Sequence, residues 1–465
     1  MPEHNYDIVV IGGGPGGYTA AIRASQFGMS AAVIERERLG GVCLNWGCIP
    51  TKALLRNAEL LEKFRKAEEW GITCENLKFD FGRIIKRSRG IADRVSKGVE
   101  YLMKKNKIDV FPGSGRLVDP GLIEVSSGGS AIERVKAKHV ILATGARPRS
   151  IPGVAIDRHR IITSTEAMSL ATQPSTMVII GGGAIGIEFA YFYNTLGTRV
   201  TVVEMLPGIL PVEDRELTKF LESSLRKQGI EILTGTKVEA VRPGPDSVAI
   251  TVSTPEGKKE LTGEVALMAI GVQGTVENLG LETIGVAVEG GAVKVDADYM
   301  TTVPGVYAIG DVAGPPWLAH VASAEGIHCV EAIAGKMPEP IDYSSIPGCT
   351  YCQPQIASVG LTEEKARAEG HELNIGRFPF RPLGKAVATG ETEGLVKLIF
   401  DAKYGELLGA HIMGSEATEL IAELVVAKRL ETTGKDLFHA IHAHPTMSEA
   451  IMEAAAAASG EAINI

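Results

Sequence analysis

One short design occurs twice in this chain, and it narrows the possible folds more than any other feature. Tyr6 to Ile11 reads as a buried strand running straight into Gly12-Gly13-Gly14-Pro15-Gly16-Gly17, then a helical pattern to Phe27 and a second strand from Ala31 to Glu35. Met177 to Ile180 starts the same sequence again, through Gly181-Gly182-Gly183-Ala184-Ile185-Gly186, a helix to Leu196 and a strand from Arg199 to Glu204. Each copy matches GxGxxG, and each ends its second strand on a carboxylate at the same offset from the first glycine. Glycine clusters by themselves can simply mark turns; two copies in matching context argue for two dinucleotide sites. Gly12 and Gly181 permit the tight turn, Gly14 and Gly183 let backbone approach a pyrophosphate, and Gly17 and Gly186 let the helix pack on its strand. The helix N-terminus then offers free N–H groups and a positive dipole end. Glu35 and Glu204 are placed to accept hydrogen bonds from ribose hydroxyls. Glu204 is followed by Met205 and Leu206 with no arginine nearby, so it would repel a 2′-phosphate, and the second site should prefer NAD over NADP.

With 465 residues, the chain is too long for a single core. Val140 to Gly145 and Val265 to Gly271 read as the strands that close the two nucleotide sheets. Arg147 to Pro152 is a polar, proline-containing crossover, and Pro347 to Pro354 is a second boundary. From about Ile346 the character changes to strands such as Leu395 to Phe400 and Leu407 to His411, followed by Ala- and Glu-rich helices, an α+β unit without a nucleotide motif. The fold class is therefore α/β, two Rossmann-like dinucleotide-binding domains plus a C-terminal α+β domain. A net charge of −9 argues against a nucleic-acid partner, which calls for clustered Lys and Arg. No run approaches about 18 apolar residues and the start lacks a basic leader, so no membrane span and a cytoplasmic location are expected.

Six cysteines, at positions 43, 48, 74, 329, 349 and 352, form no framework of the secreted type. Cys43 and Cys48 lie in Gly40-Gly41-Val42-Cys43-Leu44-Asn45-Trp46-Gly47-Cys48-Ile49-Pro50-Thr51-Lys52, directly after the first nucleotide unit. A chain turn at Gly47 can bring their Cα atoms within the roughly 4.4–6.8 Å that a disulfide requires. A helical pattern follows from Pro50, which puts the pair at a helix N-terminus with Lys52 one turn in, and both features lower a thiol pKa. An arbitrary CxxxxC is more often two buried unpaired thiols; the flanking glycines and the adjacent nucleotide site favour a redox pair. Near the other end, Ile441-His442-Ala443-His444-Pro445-Thr446-Met447-Ser448-Glu449 offers a histidine base with a carboxylate to orient it, suited to taking a thiol proton. The same HxH could be a metal pair or a surface turn.

Taken together, GGVCLNWGCIPTKALL, the two fingerprints, the stretch Val306-Tyr307-Ala308-Ile309-Gly310-Asp311, read as a strand, and HAHPTMSE resemble the dihydrolipoamide dehydrogenases of the pyridine nucleotide-disulfide oxidoreductases over nearly the whole chain. The resemblance implies FAD at the first site, NAD at the second, no metal, and a homodimer formed through the C-terminal domain. It implies an FAD-binding domain over 1–148, an NAD-binding domain over 149–273, a central domain over 274–346 that completes the FAD site, and a dimer-interface domain over 347–465. By this likeness Cys48 faces the flavin and Cys43 exchanges with lipoyl sulfur, while Lys52 pairs with Glu188 near the flavin ring. Asp311 would hold the ribityl chain, and Gly115, Thr144, Gly145 and Ala319 would also line FAD. Val238 and the turn from Ala269 to Gly271 would border NAD. His444 and Glu449 would act on the disulfide of the other subunit. The implied partner is a lipoylated acyltransferase or carrier protein of a multienzyme complex.

Two features depart from the family pattern. After Gly271 the chain reads Val272-Gln273-Gly274-Thr275 in place of an Arg-rich turn, and Cys349-Thr350-Tyr351-Cys352 forms a CxxC that invites a second redox centre or a zinc half-site. No second CxxC or histidine pair lies nearby, which favours a plain packing role. Trp46 reads as packing beside the reactive sulfurs, and Cys74 and Cys329 as inert core thiols. Three rival functions are a glutathione-type reductase, which calls for a basic residue near Glu204, a mercuric reductase, which calls for a C-terminal cysteine pair, and a non-catalytic redox sensor.

Overall fold

The computed structural model describes residues 3–464. Its first sheet is built on β1 (Glu3–Ile11), β2 (Ala31–Glu35), β3 (Asp109–Pro112), β4 (Ser114–Asp119), β5 (Leu122–Ser127) and β6 (Ser130–Leu142) in the order β3-β2-β1-β6-β5-β4. β3, β2, β1 and β6 run parallel, and β4, β5 and β6 form an antiparallel meander. Ile8, Val9 and Val10 are fully buried, as befits a parallel strand covered on both faces. The helix α1 (Pro15–Gln26) covers one face.

The first sheet is completed from far along the chain. The strand Val306–Ala308 pairs in parallel with Val140–Leu142 of β6, so the second nucleotide unit is inserted into the first. The outgoing and returning segments bond to each other, Ala146–Pro148 pairing antiparallel with Val272–Gly274. The stretch Val306 to Asp311 is not strand throughout: the strand ends at Ala308 and residues Gly310–Val312 form a 3-10 turn. Asp311 therefore sits past the strand's end, where its carboxylate can point out of the sheet.

The inserted unit has a five-stranded parallel sheet with Thr176–Ile180 at its centre, flanked by Arg199–Val203 and Val265–Met268, with Glu231–Leu233 and Ile161–Ile162 at the edges. A three-stranded antiparallel sheet from Lys237 to Gly263 is attached to it. The C-terminal unit is a five-stranded antiparallel sheet, in the order Gly348–Thr350, Gln355–Gly360, Leu407–Gly414, Leu395–Asp401, Leu373–Pro379. The helix Glu449–Ala458 lies so close on it that a Cβ at Gly376 would fall 1.7 Å from the Ala454 carbonyl oxygen.

A buried ion cluster joins the second and third units. Lys397, 2% exposed, places Nζ 3.0 Å from both oxygens of Asp214, 3.0 Å from Glu216 and 2.8 Å from Glu363. Arg377 adds bonds to Glu216 and Glu363. A lysine this deep remains charged only because three carboxylates surround it. Among the described residues no helix is long and apolar enough to cross a membrane.

Candidate active site

The two glycine turns adopt the same strained geometry. Gly12 has φ +109° and Gly181 has φ +111°, and a Cβ at either would lie 2.2–2.3 Å from the carbonyl oxygen of Ala143 or Ala269. Gly17 and Gly186 press on Gly12 and Gly181 in turn, with a Cβ meeting their carbonyl oxygens at 1.9 and 2.0 Å. By contrast a Cβ at Gly14 would have no atom nearer than 3.9 Å, and one at Gly183 none within 4 Å. In each turn, then, the outer glycines are packed and the middle one faces open space at a helix N-terminus, a cradle suited to a pyrophosphate.

Glu35 and Glu204 do more than wait for a ribose. Glu35 accepts the N–H of Gly13 at 2.8 Å and that of Glu37 at 2.7 Å. Glu204 accepts those of Gly182 at 2.6 Å and Leu206 at 2.7 Å. Each carboxylate thus ties the glycine turn to the end of the second strand. Each carboxylate oxygen accepts only one of these bonds, which leaves lone pairs for sugar hydroxyls.

The cysteine loop is held against the first turn by glycines and buried polar groups. Gly41, with φ +57°, approaches so closely that a Cβ there would sit 2.7 Å from the Gly14 Cα. Both cysteines are helical, Cys43 within α2 (Gly41–Trp46) and Cys48 as the first residue of α3 (Cys48–Arg65). Asn45 Nδ2 donates to the carbonyls of Leu39 and Gly41 at 3.0 Å. The long helix α4 (Phe81–Lys105) braces both from behind, Ser96 donating to the Leu39 carbonyl at 2.7 Å and Ser88 to that of Pro50 at 2.8 Å. Trp46 packs against this assembly with the Arg89 guanidinium 4.0 Å above its ring.

Both cysteines are free thiols in this structure, each the largest influence on the other's ionisation. The Cys43 thiol beside it brings the Cys48 thiol down to about 7, helped by the Lys52 ammonium and opposed by burial. The same closeness, together with burial, drives Cys43 upward. The reduced pair therefore carries its charge on Cys48, the sulfur at the helix N-terminus. Lys52 reaches across to the inserted unit, with Nζ 2.9 Å from both oxygens of Glu188, whose side chain is 6% exposed.

A single cavity of about 1180 Å3 runs from the first turn, past the cysteines and the Lys52–Glu188 pair, to the second turn. Gly12, Gly14 and Glu35 line one end together with Gly115, Thr144, Gly145, Asp311 and Ala319. Gly181, Gly183, Glu204, Val238, Ala269 and Gly271 line the other. Gly17 and Gly186 lie behind the lining, as packing positions. Thr144 is held by its hydroxyl bond to the Thr275 carbonyl at 2.8 Å. Burial, and next the nearby Glu325 charge, push the Asp311 carboxyl up to about 6.

His444 is not brought to the cysteines of its own chain: among the described residues, none beyond Cys349 lines the cavity. Its side chain is 77% exposed, and Nδ1 lies 2.9 Å from Glu449. Glu449 also accepts the Thr446 N–H at 2.9 Å, and against some burial these bonds keep its carboxyl below the usual range. Three outcomes differ from the sequence reading. Cys74 is exposed and not a core thiol, whereas Cys329 is fully buried. Cys349, taken for packing alone, reaches the cavity wall, while Cys352 is buried. Trp317 also lines the cavity; it lies in a Pro-Pro-Trp loop that carries no motif.

The matches to known proteins cover the same two regions. Residues 6–326 match the family described as pyridine nucleotide-disulphide oxidoreductase, and residues 346–455 match its dimerisation domain. The chain belongs to the pyridine nucleotide-disulphide oxidoreductase family. It is 50% identical to a dihydrolipoyl dehydrogenase of Rhizobium etli, over 99% of each chain, and 43% identical to that of Bacillus subtilis, over 99% of each. Among solved structures it is similar to LpdA from Mycobacterium tuberculosis, with TM-score 0.90 and 28% identity, covering 97% of this chain and 99% of that one. It is also similar to the HOCl-induced flavoprotein disulfide reductase RclA from Escherichia coli, with TM-score 0.87 and 26% identity, covering 97% and 99%. As a pyridine nucleotide-disulphide oxidoreductase the chain uses FAD and NAD, and two open glycine cradles in one cavity fit two dinucleotides.

Proposed function

We propose that the chain oxidises dihydrolipoamide to lipoamide and delivers the two electrons to NAD+ through the Cys43–Cys48 pair and FAD. The observation that carries this reading is the continuous cavity, with the cysteine pair and the Lys52–Glu188 bridge between the two glycine cradles. FAD belongs in the first cradle, held by Gly12, Gly14, Glu35, Gly115, Thr144, Gly145, Lys52, Asp311 and Ala319. NAD belongs in the second, held by Gly181, Gly183, Glu204, Val238, Ala269 and Gly271. Bound there, FAD would supply the two-electron chemistry that links a dithiol to NAD+.

The protein's own part is thiol exchange and proton handling. In the oxidised pair, a dihydrolipoamide thiolate attacks Cys43 Sγ, the Cys43–Cys48 bond breaks, and the electron pair departs on Cys48. The second lipoyl thiolate then displaces Cys43, closing the lipoyl disulfide and leaving two protein sulfurs reduced. Cys48 is the better leaving group because its thiolate is favoured by its neighbours. His444 from a second copy of the chain takes the thiol protons, with Glu449 fixing the imidazole through Nδ1. The exposure of His444 in one copy suits this arrangement.

Accordingly residues 1–148 form the FAD unit, 149–273 the NAD unit, 274–346 the segment completing the FAD site and 347–465 the surface that pairs two subunits. The enzyme works in the cytoplasm on a lipoylated acyltransferase or carrier protein of a 2-oxoacid dehydrogenase or glycine-cleavage complex. Purified protein should reduce NAD+ with dihydrolipoamide and fail to reduce glutathione disulfide with NADPH. Cys43→Ser should stop that turnover while leaving FAD bound; a variant that still turned over lipoamide would exclude Cys43 as the exchanging sulfur.

A further inference from the structure

The Cys349-Thr350-Tyr351-Cys352 motif places a tyrosine between its two sulfurs. Cys352 is fully buried with Sγ 3.2 Å from the Pro354 carbonyl oxygen, and Cys349 reaches the cavity wall. Tyr351 itself touches both members of the bridge beside the reactive pair. Its backbone N–H donates to Glu188 Oε1 at 3.0 Å, and the Lys52 Nζ lies 4.3 Å above the centre of its ring. Three separate units of the fold thus meet on one ammonium: Lys52 from the cysteine helix, Glu188 from the inserted unit, and Tyr351 from the C-terminal unit.

We propose that Tyr351 is a positioning residue that holds the Lys52 ammonium in place beside Cys48 by the face of its ring, and so sets the reactivity of the exchange pair. The face of a phenol ring carries partial negative charge and attracts a cation placed over it, more so where water is thinned. Lys52 is one-third exposed, and a lysine has four rotatable stem bonds through which to wander. Glu188 fixes one side of the ammonium; the ring fixes the other and keeps it near the Cys48 sulfur. The charged groups facing that sulfur are Cys43 from α2, Lys52 from its own helix and Glu188 from the inserted unit. Only Lys52 adds positive charge among them, so its placement decides how readily Cys48 ionises.

The inference rests on the reading of Cys43 and Cys48 as the exchange pair, and the test separates the two. The reduced holoenzyme is alkylated with iodoacetamide between about pH 5 and 9, and the labelled cysteines are located by peptide mass. If Cys43 and Cys48 label equally with and without prior reduction, the exchange-pair reading fails. If labelling requires reduction, Tyr351 can be judged. Tyr351→Leu should raise the pH midpoint by up to about one unit and slow labelling at pH 7 by about three- to tenfold. Tyr351→Phe, which keeps the ring and drops only the hydroxyl, should label as the wild type does. If Tyr351→Leu fails to fold, Tyr351→pentafluorophenylalanine keeps the ring outline while reversing the charge on its face, and should raise the midpoint relative to Tyr351→Phe. An unchanged midpoint in whichever of these two variants is measured would overturn the proposal. So would a shift in Tyr351→Phe equal to that in Tyr351→Leu, because the hydroxyl and not the ring face would then be the active feature.

Discussion

Replacing Glu204 by Gln should weaken NAD+ binding by roughly ten- to a hundredfold, and the cause lies as much in the loop as in the ribose. Glu204 is 8% exposed and its two oxygens accept two backbone N–H groups, from Gly182 at 2.6 Å and Leu206 at 2.7 Å. A carboxamide has one acceptor oxygen and one N–H2. Whichever way it turns, one of the two backbone N–H groups then faces another donor. A lost hydrogen bond to a charged group is worth about 1.5–3 kcal/mol, and 1.4 kcal/mol is about tenfold in affinity. The affected N–H belongs to the glycine turn or to the strand end it is tied to, so the loss falls on assembling the cradle before the nucleotide arrives. Calorimetric titration of the purified holoenzyme with NAD+ measures the change directly. Flavin content serves as the internal control, because the first cradle has its own carboxylate, Glu35, and should be unaffected. An NAD+ affinity within about threefold of wild type would show that the backbone bonds of Glu204 do not hold the turn.

Three other perturbations follow from the same geometry. Gly17→Ala puts a Cβ 1.9 Å from the Gly12 carbonyl oxygen and should yield protein without FAD, read from the flavin-to-protein absorbance ratio; Gly186→Ala, with its clash at 2.0 Å, should keep FAD and lose NAD+ binding. His444→Gln should lower dihydrolipoamide turnover by about 10²–10⁴ yet leave NADH able to reduce the bound flavin, which single-turnover absorbance would follow. Lys397→Met leaves buried Asp214 without its lysine and Glu216 and Glu363 with only arginine partners, and should cost about 3–5 kcal/mol at pH 7, measured by denaturant unfolding. Although burial opposes it, all three carboxyls are held below their ordinary range, Asp214 by His411 and then Lys397, Glu216 by Arg377 and then Lys397, and Glu363 by Lys397 and then Arg367. Their contribution is therefore complete above the ordinary carboxylate range and is lost as the pH falls through the depressed folded values. The gap between wild type and variant should narrow below about pH 4.

Much of the site could be located before folding because its demands are local. A strand, a turn that only glycine can make and a helix with free N–H groups are all written within a dozen residues. Such a unit looks the same in sequence wherever it is used, and Gly12 and Gly181 have nearly the same φ. The pairing of His444 with Glu449 is equally local, and it forms. Asp311 was recognisable as a residue, yet its strand ends three positions earlier and a 3-10 turn carries it.

What the residue order settled by itself was the pair of nucleotide cradles, the sulfur pair beside the first of them and the class of chemistry they support, because each depends on neighbours along the chain. Tertiary structure alone decided that the cradles open into one cavity, that Tyr351 joins the Lys52–Glu188 pair, which only the family resemblance had implied, and that Lys397 draws three carboxylates around it. Those contacts join residues more than a hundred positions apart in most cases, and the spacing of residues carries no record of which distant surfaces will be pressed together. Charge makes the difference visible: a lysine in sequence is only a cation, and its effect depends on which groups the fold brings within a few ångströms of it.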